Sequence, residues 1–231
     1  METRISISLA LAQSIAHDLR SPVNGIAGLL EILEEDYDTL PDEKKRKFIY
    51  SASLSAKRLR FLVEDLLALV TAQNDERANL TSTLLKPEVE KVKMLLSEHY
   101  IKKEIDIAVE MKNDLSILAS PVLLRSVLQN LIHNAIKFSY PGQKVIISAE
   151  KKKDIVSVSV TDSGIGMNEE QKNKLFKDDS MKSSPGTWGE RGTGLGMMIC
   201  HQRLVSMGGN ISVESEPDQG SCFTFTLPAS N

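Results

Sequence analysis

Asn130, Asn134 and Lys137 recur at steps of four and three residues, the spacing that stacks side chains on one face of an α-helix. Two amides and a cation in a row suit a particular chemistry. Amide oxygens coordinate a hard, hydrated cation such as magnesium, and a lysine answers phosphate charge. Taken alone, the three residues equally describe a solvated helix face. Asp162 raises a second question. Val156, Val158, Val160 and Asp162 alternate along one strand, so the carboxylate ends an apolar row and needs a partner there. Ser163-Gly164-Ile165-Gly166 follows, and its glycines permit a sharp turn and the close approach of a flat ligand. A carboxylate so placed can accept a hydrogen bond from an exocyclic amine such as that of adenine. The third group is Gly189-Glu190-Arg191-Gly192-Thr193-Gly194-Leu195-Gly196, which opens a helix. Backbone N–H groups at a helix start, together with the helix dipole, favour an anion. The run fits neither a Walker P-loop nor a dinucleotide fingerprint. Residues 167–189, between the two glycine runs, are polar and rich in Ser, Asp, Lys and Gly, a composition that suits a mobile lid.

A fourth group stands far upstream, in the stretch SIAHDLRSPV at residues 14–23. Ile5, Leu9, Ala12, Ala16, Leu19, Val23, Ile26, Leu30 and Leu33 step by four and three through it, an a/d heptad seam. His17 directly follows seam position Ala16. It is turned about 100° from the seam, toward the surface, where a histidine alone is more often bland than functional. Ser21 lies one turn on, on the face of His17. Pro22 has no N–H for the carbonyl of Asp18 and crowds it, at a cost of about 3 kcal/mol that pure scaffold would avoid.

The elements that must position these groups fall into two halves. After the turn Thr39-Leu40-Pro41-Asp42, a second seam runs Phe48, Ala52, Ser55, Leu59, Leu62, Leu66, Leu69, with apolar flank positions at Ile49, Ala56, Val63 and Leu67. One antiparallel hairpin cannot cover so wide a stripe, whereas two packed together make a four-helix bundle. A homodimer through residues 1–70 is therefore expected. Polar residues 71–76 break the seam, and the boundaries read 1–72 for the hairpin, 73–80 for a linker and 81–231 for a second domain. There, helices are expected at 88–102, opened by Pro87, at Pro121–Phe138 and at 195–207. Strands are expected at 105–109, 144–150, 155–162, 211–215 and 222–227, which makes an α/β sandwich on a mixed sheet. The 231 residues are 41% hydrophobic and 26% charged with a net charge of -3, which does not point to nucleic acid. No apolar run approaches the roughly 20 residues of a membrane span, and no signal peptide is visible, so a cytoplasmic segment without membrane contact is expected. Cys200 and Cys222 lack metal-ligand spacing and read as small buried hydrophobes. His99, His133 and His201 lack paired ligands and read as structural or surface groups.

With these groups in order, a resemblance becomes specific. NLIHNAIKFS at 130–139 resembles the N box of the GHKL ATPase superfamily, VTDSGIGM its first glycine box, GTGLGM its second, and Leu175-Phe176-Lys177 its short F box. SIAHDLRSPV resembles the H box of sensor histidine kinases. The match covers essentially the whole chain, with the boxes in the family's order. The resemblance implies the core of a two-component kinase: a dimerisation and phosphotransfer bundle followed by a catalytic ATP-binding domain. It implies that His17 attacks the γ-phosphoryl group of ATP and that Asp18 orients the imidazole and takes its proton. It implies ATP contacts from Asn130, Asn134, Lys137, Asp162, Gly164, Gly166, Phe176, Lys177, Gly192, Thr193, Gly194, Leu195 and Gly196, with magnesium at Asn130 and Asn134. The phosphoryl group then passes to an aspartate of a response-regulator receiver domain docked near His17. Ser21 stands where relatives that dephosphorylate their regulator carry threonine or asparagine, which leaves phosphatase activity open. Two other readings compete. Hydrolytic relatives place a glutamate base where Asn130 stands, and an amide cannot take water's proton. A phosphotransfer protein with a decayed ATP domain would show damaged boxes, and these are intact.

Overall fold

The computed structural model describes residues 9–71, 80–111, 113–176, 184–190 and 196–230, with the side chains of 9–15, of 17 and 18 and of much of 54–71 lying outside the description. The linker expected at 73–80 thus falls almost wholly outside the described residues. The chain divides into two compact units, Met1–Val70 and Thr71–Asn231.

The first unit is a helical hairpin of α1 (Leu9–Asp36) and α2 (Asp42–Thr71). Thr39 and Leu40 donate backbone N–H groups to the carbonyl of Asp36, closing α1, and Asp42 and Glu43 favour the positive N-terminus of α2. Gly25 of α1 faces Ser55 of α2, with 3.8 Å between the Ser55 hydroxyl and an ideal Cβ on the glycine. α1 continues unbroken through Pro22. Of the described seam positions, Leu33 and Ala52 are buried, while Val23, Leu30 and the flanking Ile49 and Val63 remain 41–56% exposed in the single chain.

The second unit is two-layered. Its five-stranded sheet has the order β2 (Asp106–Glu110), β4 (Lys144–Lys152), β5 (Ile155–Asp162), β7 (Gly220–Pro228), β6 (Asn210–Glu216). β2 and β4 run parallel and the other neighbours antiparallel, so the sheet is mixed, as expected. One face is apolar: Val156, Val158, Val160, Val145, Ile147 and Phe225 are fully buried. Helices α3 (Leu85–Leu95), α5 (Pro121–Phe138) and α7 (Gly196–Ser206) cover it. The opposite face carries Ser159, Thr224 and Thr161, whose hydroxyls bond across strands. Cys200 is buried, but Cys222 lies on this face half-buried, accepting from Thr161, which corrects its expected burial.

Further elements differ from expectation. The helix expected at 88–102 is two: α3 begins earlier, with Pro87 in its first turn, and breaks at Leu96 before α4 (Ser97–Lys102). β1 (Thr81–Leu84) and β3 (Ser116–Ala119) pair antiparallel in a small second sheet; strands of four residues carry too little alternation to be read. Part of the stretch expected as lid forms α6 (Glu169–Lys174), opened by a reciprocal capping box between Asn168 and Gln171.

Candidate functional site

The C-terminal end of α5 organises the site. A helix leaves its last carbonyls without internal partners, and here neighbouring segments take them up. The Phe138 carbonyl accepts from Ile165 N at 3.2 Å, the Lys137 carbonyl from Thr187 N at 3.1 Å, and the Ser139 carbonyl from Thr187 Oγ1 at 2.6 Å. The turn after β5 and the segment before the second glycine run are thereby fixed on the helix that carries the amides.

Asp162 continues the row of Val156, Val158 and Val160 into the buried face and is 4% exposed. Burial raises its pKa to about 6, against the pull of hydrogen bonds from the backbone of Gly164, 2.9 Å from Oδ1, and of Ser221. Gly164 passes so close to α5 that a Cβ there would stand 2.1 Å from the Phe138 carbonyl oxygen. Gly166, at φ +61°, lies against the Glu216 carbonyl. Both glycines are thus required by close backbone approach.

On α5 the three polar residues are not equivalent. Asn130 and Asn134 are half-buried, but Lys137 is 4% exposed. Its flanks are packed as well, since Ile132 and Ile136 are buried beside Leu124, Val127, Leu128, Leu131 and Ala135. Lys137 Nζ donates to the Ser184 carbonyl at 3.0 Å and lies 4.4 Å from the Phe138 ring centroid. Burial lowers its pKa to about 8, with Glu190 opposing and Lys103 reinforcing. At the start of α7, a Cβ on Gly196 would stand 2.8 Å from Asn130 Oδ1, so glycine leaves that oxygen room. Among the described residues no three His, Cys, Asp or Glu side chains cluster to hold a metal. Two amide oxygens fit magnesium, which keeps much of its water and takes further ligands from phosphates.

Phe176 is half-buried, with its ring 6.1 Å from that of His201. Lys177, Gly192, Thr193, Gly194 and Leu195 lie outside the described residues, as do the side chains of His17 and Asp18. Ser21 is exposed and Pro22 half-buried. His99 and His133 are exposed, their rings edge to face at 5.5 Å.

Two residues of the site escaped sequence reasoning. Lys103 is 2% exposed and Glu190 pairs with it at 2.7 Å. Lys102-Lys103-Glu104 looks like any solvated helix end, and nothing local marks its middle member as the buried one.

The fold is an α/β sandwich in the unit that follows a helical hairpin bearing a histidine. Residues 8–75 match the family described as "His Kinase A (phospho-acceptor) domain", and residues 119–231 that described as "Histidine kinase-, DNA gyrase B-, and HSP90-like ATPase". The sensor-like histidine kinase SenX3 of Mycobacterium tuberculosis is 30% identical over 220 residues, covering 94% of this chain and 52% of SenX3. The catalytic domain of histidine kinase ThkA is 33% identical with a TM-score of 0.57, over 64% of this chain and 95% of that one. ThkA in complex with the response regulator protein TrrA aligns over 98% of this chain and 63% of that one, at 26% identity and a TM-score of 0.73. The chain belongs to the histidine kinases, as the core of a two-component sensor kinase. It spans about half of SenX3, and 35% or less of the hybrid kinase of Dictyostelium discoideum and the sensor-like kinase of Porphyra purpurea that it also matches.

Proposed function

We propose that this core binds Mg-ATP in the unit at 81–231, phosphorylates His17 in the hairpin at 1–72, and passes the phosphoryl group to an aspartate of a response regulator. Adenine lies against Asp162, and the triphosphate runs along Asn130, Asn134 and Lys137 toward Gly192, Thr193, Gly194, Leu195 and Gly196, with Phe176 and Lys177 flanking it. Asn130 and Asn134 would hold magnesium, which would neutralise part of the triphosphate charge. A neutral His17 nitrogen attacks the γ-phosphorus, the bond to the β-phosphate oxygen breaks, ADP leaves, and Asp18 takes the imidazole proton. The regulator's carboxylate then attacks the same phosphorus and the N–P bond breaks. The linker at 73–80 lets the loaded domain reach the histidine.

The observation that carries this reading is a buried carboxylate, Asp162, whose Oδ1 accepts from Gly164 N where the turn after β5 meets the end of α5, the helix that carries Asn130, Asn134 and the buried Lys137. Asn130 in the base position speaks against hydrolysis. The exposed seam of the hairpin supports a homodimer through residues 1–70. ThkA's complex with TrrA supports a receiver domain docking beside His17, where exposed Ser21 offers a hydroxyl able to hold a water for regulator dephosphorylation. Among the described residues, no helix is long and apolar enough to cross a membrane, and the need for ATP favours a cytoplasmic setting for this part.

The test is incubation with γ-labelled Mg-ATP beside a His17→Ala variant. Protein-bound label that is acid-labile, alkali-stable and lost in the variant is expected. Steady phosphate release that survives the substitution overturns the kinase reading in favour of a hydrolase.

A further inference from the structure

Lys103 is the most deeply buried cation among the described side chains, at 2% exposure, and it lies at the end of α4, outside the nucleotide boxes. A buried ammonium is costly unless it is paired, and here the partners converge from two elements. Nζ donates to the Lys137 carbonyl and to Glu190 Oε1, each at 2.7 Å, and stands 5.7 Å from the Trp188 ring centroid. The other Glu190 oxygen accepts from Trp188 N at 2.8 Å, and the Glu190 carbonyl accepts from Gly186 N at 2.8 Å. Residues 184–190 have no regular secondary structure. Their place is set by this cluster, by Thr187 on the carbonyls of Lys137 and Ser139, and by Lys137 Nζ on Ser184 O.

The position of the cluster is informative. Lys103 caps the negative end of α5 at the carbonyl of Lys137, the residue assigned above to the triphosphate. Glu190 stands at the start of the second glycine run, two residues before Gly192. The pair therefore does little for the apolar core; it ties the chain entering the glycine run to the end of the amide helix. Glu190 also cancels the Lys103 charge beside Lys137, while burial is opposed at Glu190 by Lys103 and Trp188, whose hydrogen bonds keep its carboxyl below the usual range.

We propose that Lys103 and Glu190 are positioning residues for the triphosphate: their ion pair holds residues 184–190 on α5, and so sets the Lys137 ammonium and the approach to the second glycine run. The inference rests on the nucleotide site proposed above. A positioning role predicts a split between ligands. Phosphate-dependent affinity falls, while adenine recognition at Asp162, which is held by Gly164 and Ser221 and not by residues 184–190, is kept. A pure charge role for Glu190 predicts the reverse, because its removal adds net positive charge and would tighten phosphate binding.

The experiment measures dissociation constants for a non-hydrolysable ATP analogue and for adenosine in the whole chain and in Lys103→Met, Glu190→Gln and the double variant. Acrylamide quenching of Trp188, the sole tryptophan, reads the cluster directly. Expected are an analogue affinity lower by about tenfold in each single variant, as for loss of a charged hydrogen bond, and adenosine affinity within about twofold. The double variant should be no worse than the singles, since both remove one interaction. Quenching should rise in all three. The alkaline limit of analogue binding should move to lower pH in Glu190→Gln, where Lys103 stands unneutralised beside Lys137. Glu190 is one-third exposed, so Glu190→Gln alone decides the question if Lys103→Met does not fold. Unchanged or tighter analogue binding, or equal losses for both ligands, overturns the inference. Failure of the parent chain to bind either ligand would instead sink the nucleotide site itself.

Discussion

At the scale of single residues, two buried ionisable groups, Asp162 and Lys137, should set opposite limits on nucleotide binding. Asp162 titrates near 6 because burial disfavours its charge. The folded protein therefore binds that proton more tightly than the unfolded chain. Its stability is highest below the unfolded value of 3.8 and declines as pH rises through about 6. At neutral pH the buried carboxylate costs about 3 kcal/mol. Asp162→Asn keeps an oxygen for Gly164 N and removes the charge. It should raise the melting temperature while weakening nucleotide binding, and calorimetry with and without ATP reads both. Lys137 runs the other way. Burial holds its pKa near 8, so its ammonium is lost above that pH, where the site loses phosphate affinity. Affinity should peak between about 6 and about 8. Asp162→Asn should flatten the acid limb relative to the parent, and Lys137→Met the alkaline one. Limbs unchanged in these variants would refute the assignment.

At the scale of elements, the site depends on how closely the turn after β5 meets the end of α5. Gly164→Ala would put a methyl 2.1 Å from the Phe138 carbonyl oxygen, and backbone on both sides must give way. Overpacking of this kind costs about 1–3 kcal/mol. It also pulls Ile165 N from that carbonyl and Gly164 N from Asp162. The variant should melt earlier and bind adenosine at least about tenfold more weakly, with far-UV dichroism retained. Gly28, which has open space around its Cβ position, is the control: Gly28→Ala in α1 should gain stability by up to about 1 kcal/mol. Pro22 belongs to this scale too. α1 runs through it unbroken, so its cost is absorbed without ending the helix.

At the scale of the whole molecule, the hairpin is incomplete alone. Leu30 is 52% exposed and Val23 46%, although both sit on a seam whose period specifies burial. In the homodimer proposed above, a second copy would supply the missing face. Leu30→Glu should shift the chain from dimer to monomer in light scattering and lower the unfolding temperature of the hairpin. An unchanged dimer would put the interface elsewhere. The linked units also predict independence: substitutions around Asp162 should leave the dimer mass unaltered.

The sequence by itself determined the elements with long, strong periods, and the identity of the boxes. α1, α2, α5, β4 and β5 stand where hydrophobic spacing put them, because an apolar residue at the wrong face costs more than any local propensity returns. Asp162 points into the core for the same reason: the strand's period of two leaves it no other direction. What only the tertiary structure decided is how these elements share their ends. Period alone placed Lys137 on one face of α5 with Asn130 and Asn134 and could not tell that it is buried under residues 184–190. Nor could it show that Lys103, one of a charged triplet, would be drawn inside by Glu190 and the Lys137 carbonyl. The short strands β1 and β3, the break at Leu96 and the helix α6 were missed on the same physical ground. β1 and β3 are held by each other across more than 30 residues, and a pairing across the fold leaves no period in the chain to read, while the break at Leu96 and the six-residue α6 are too short and local to show one.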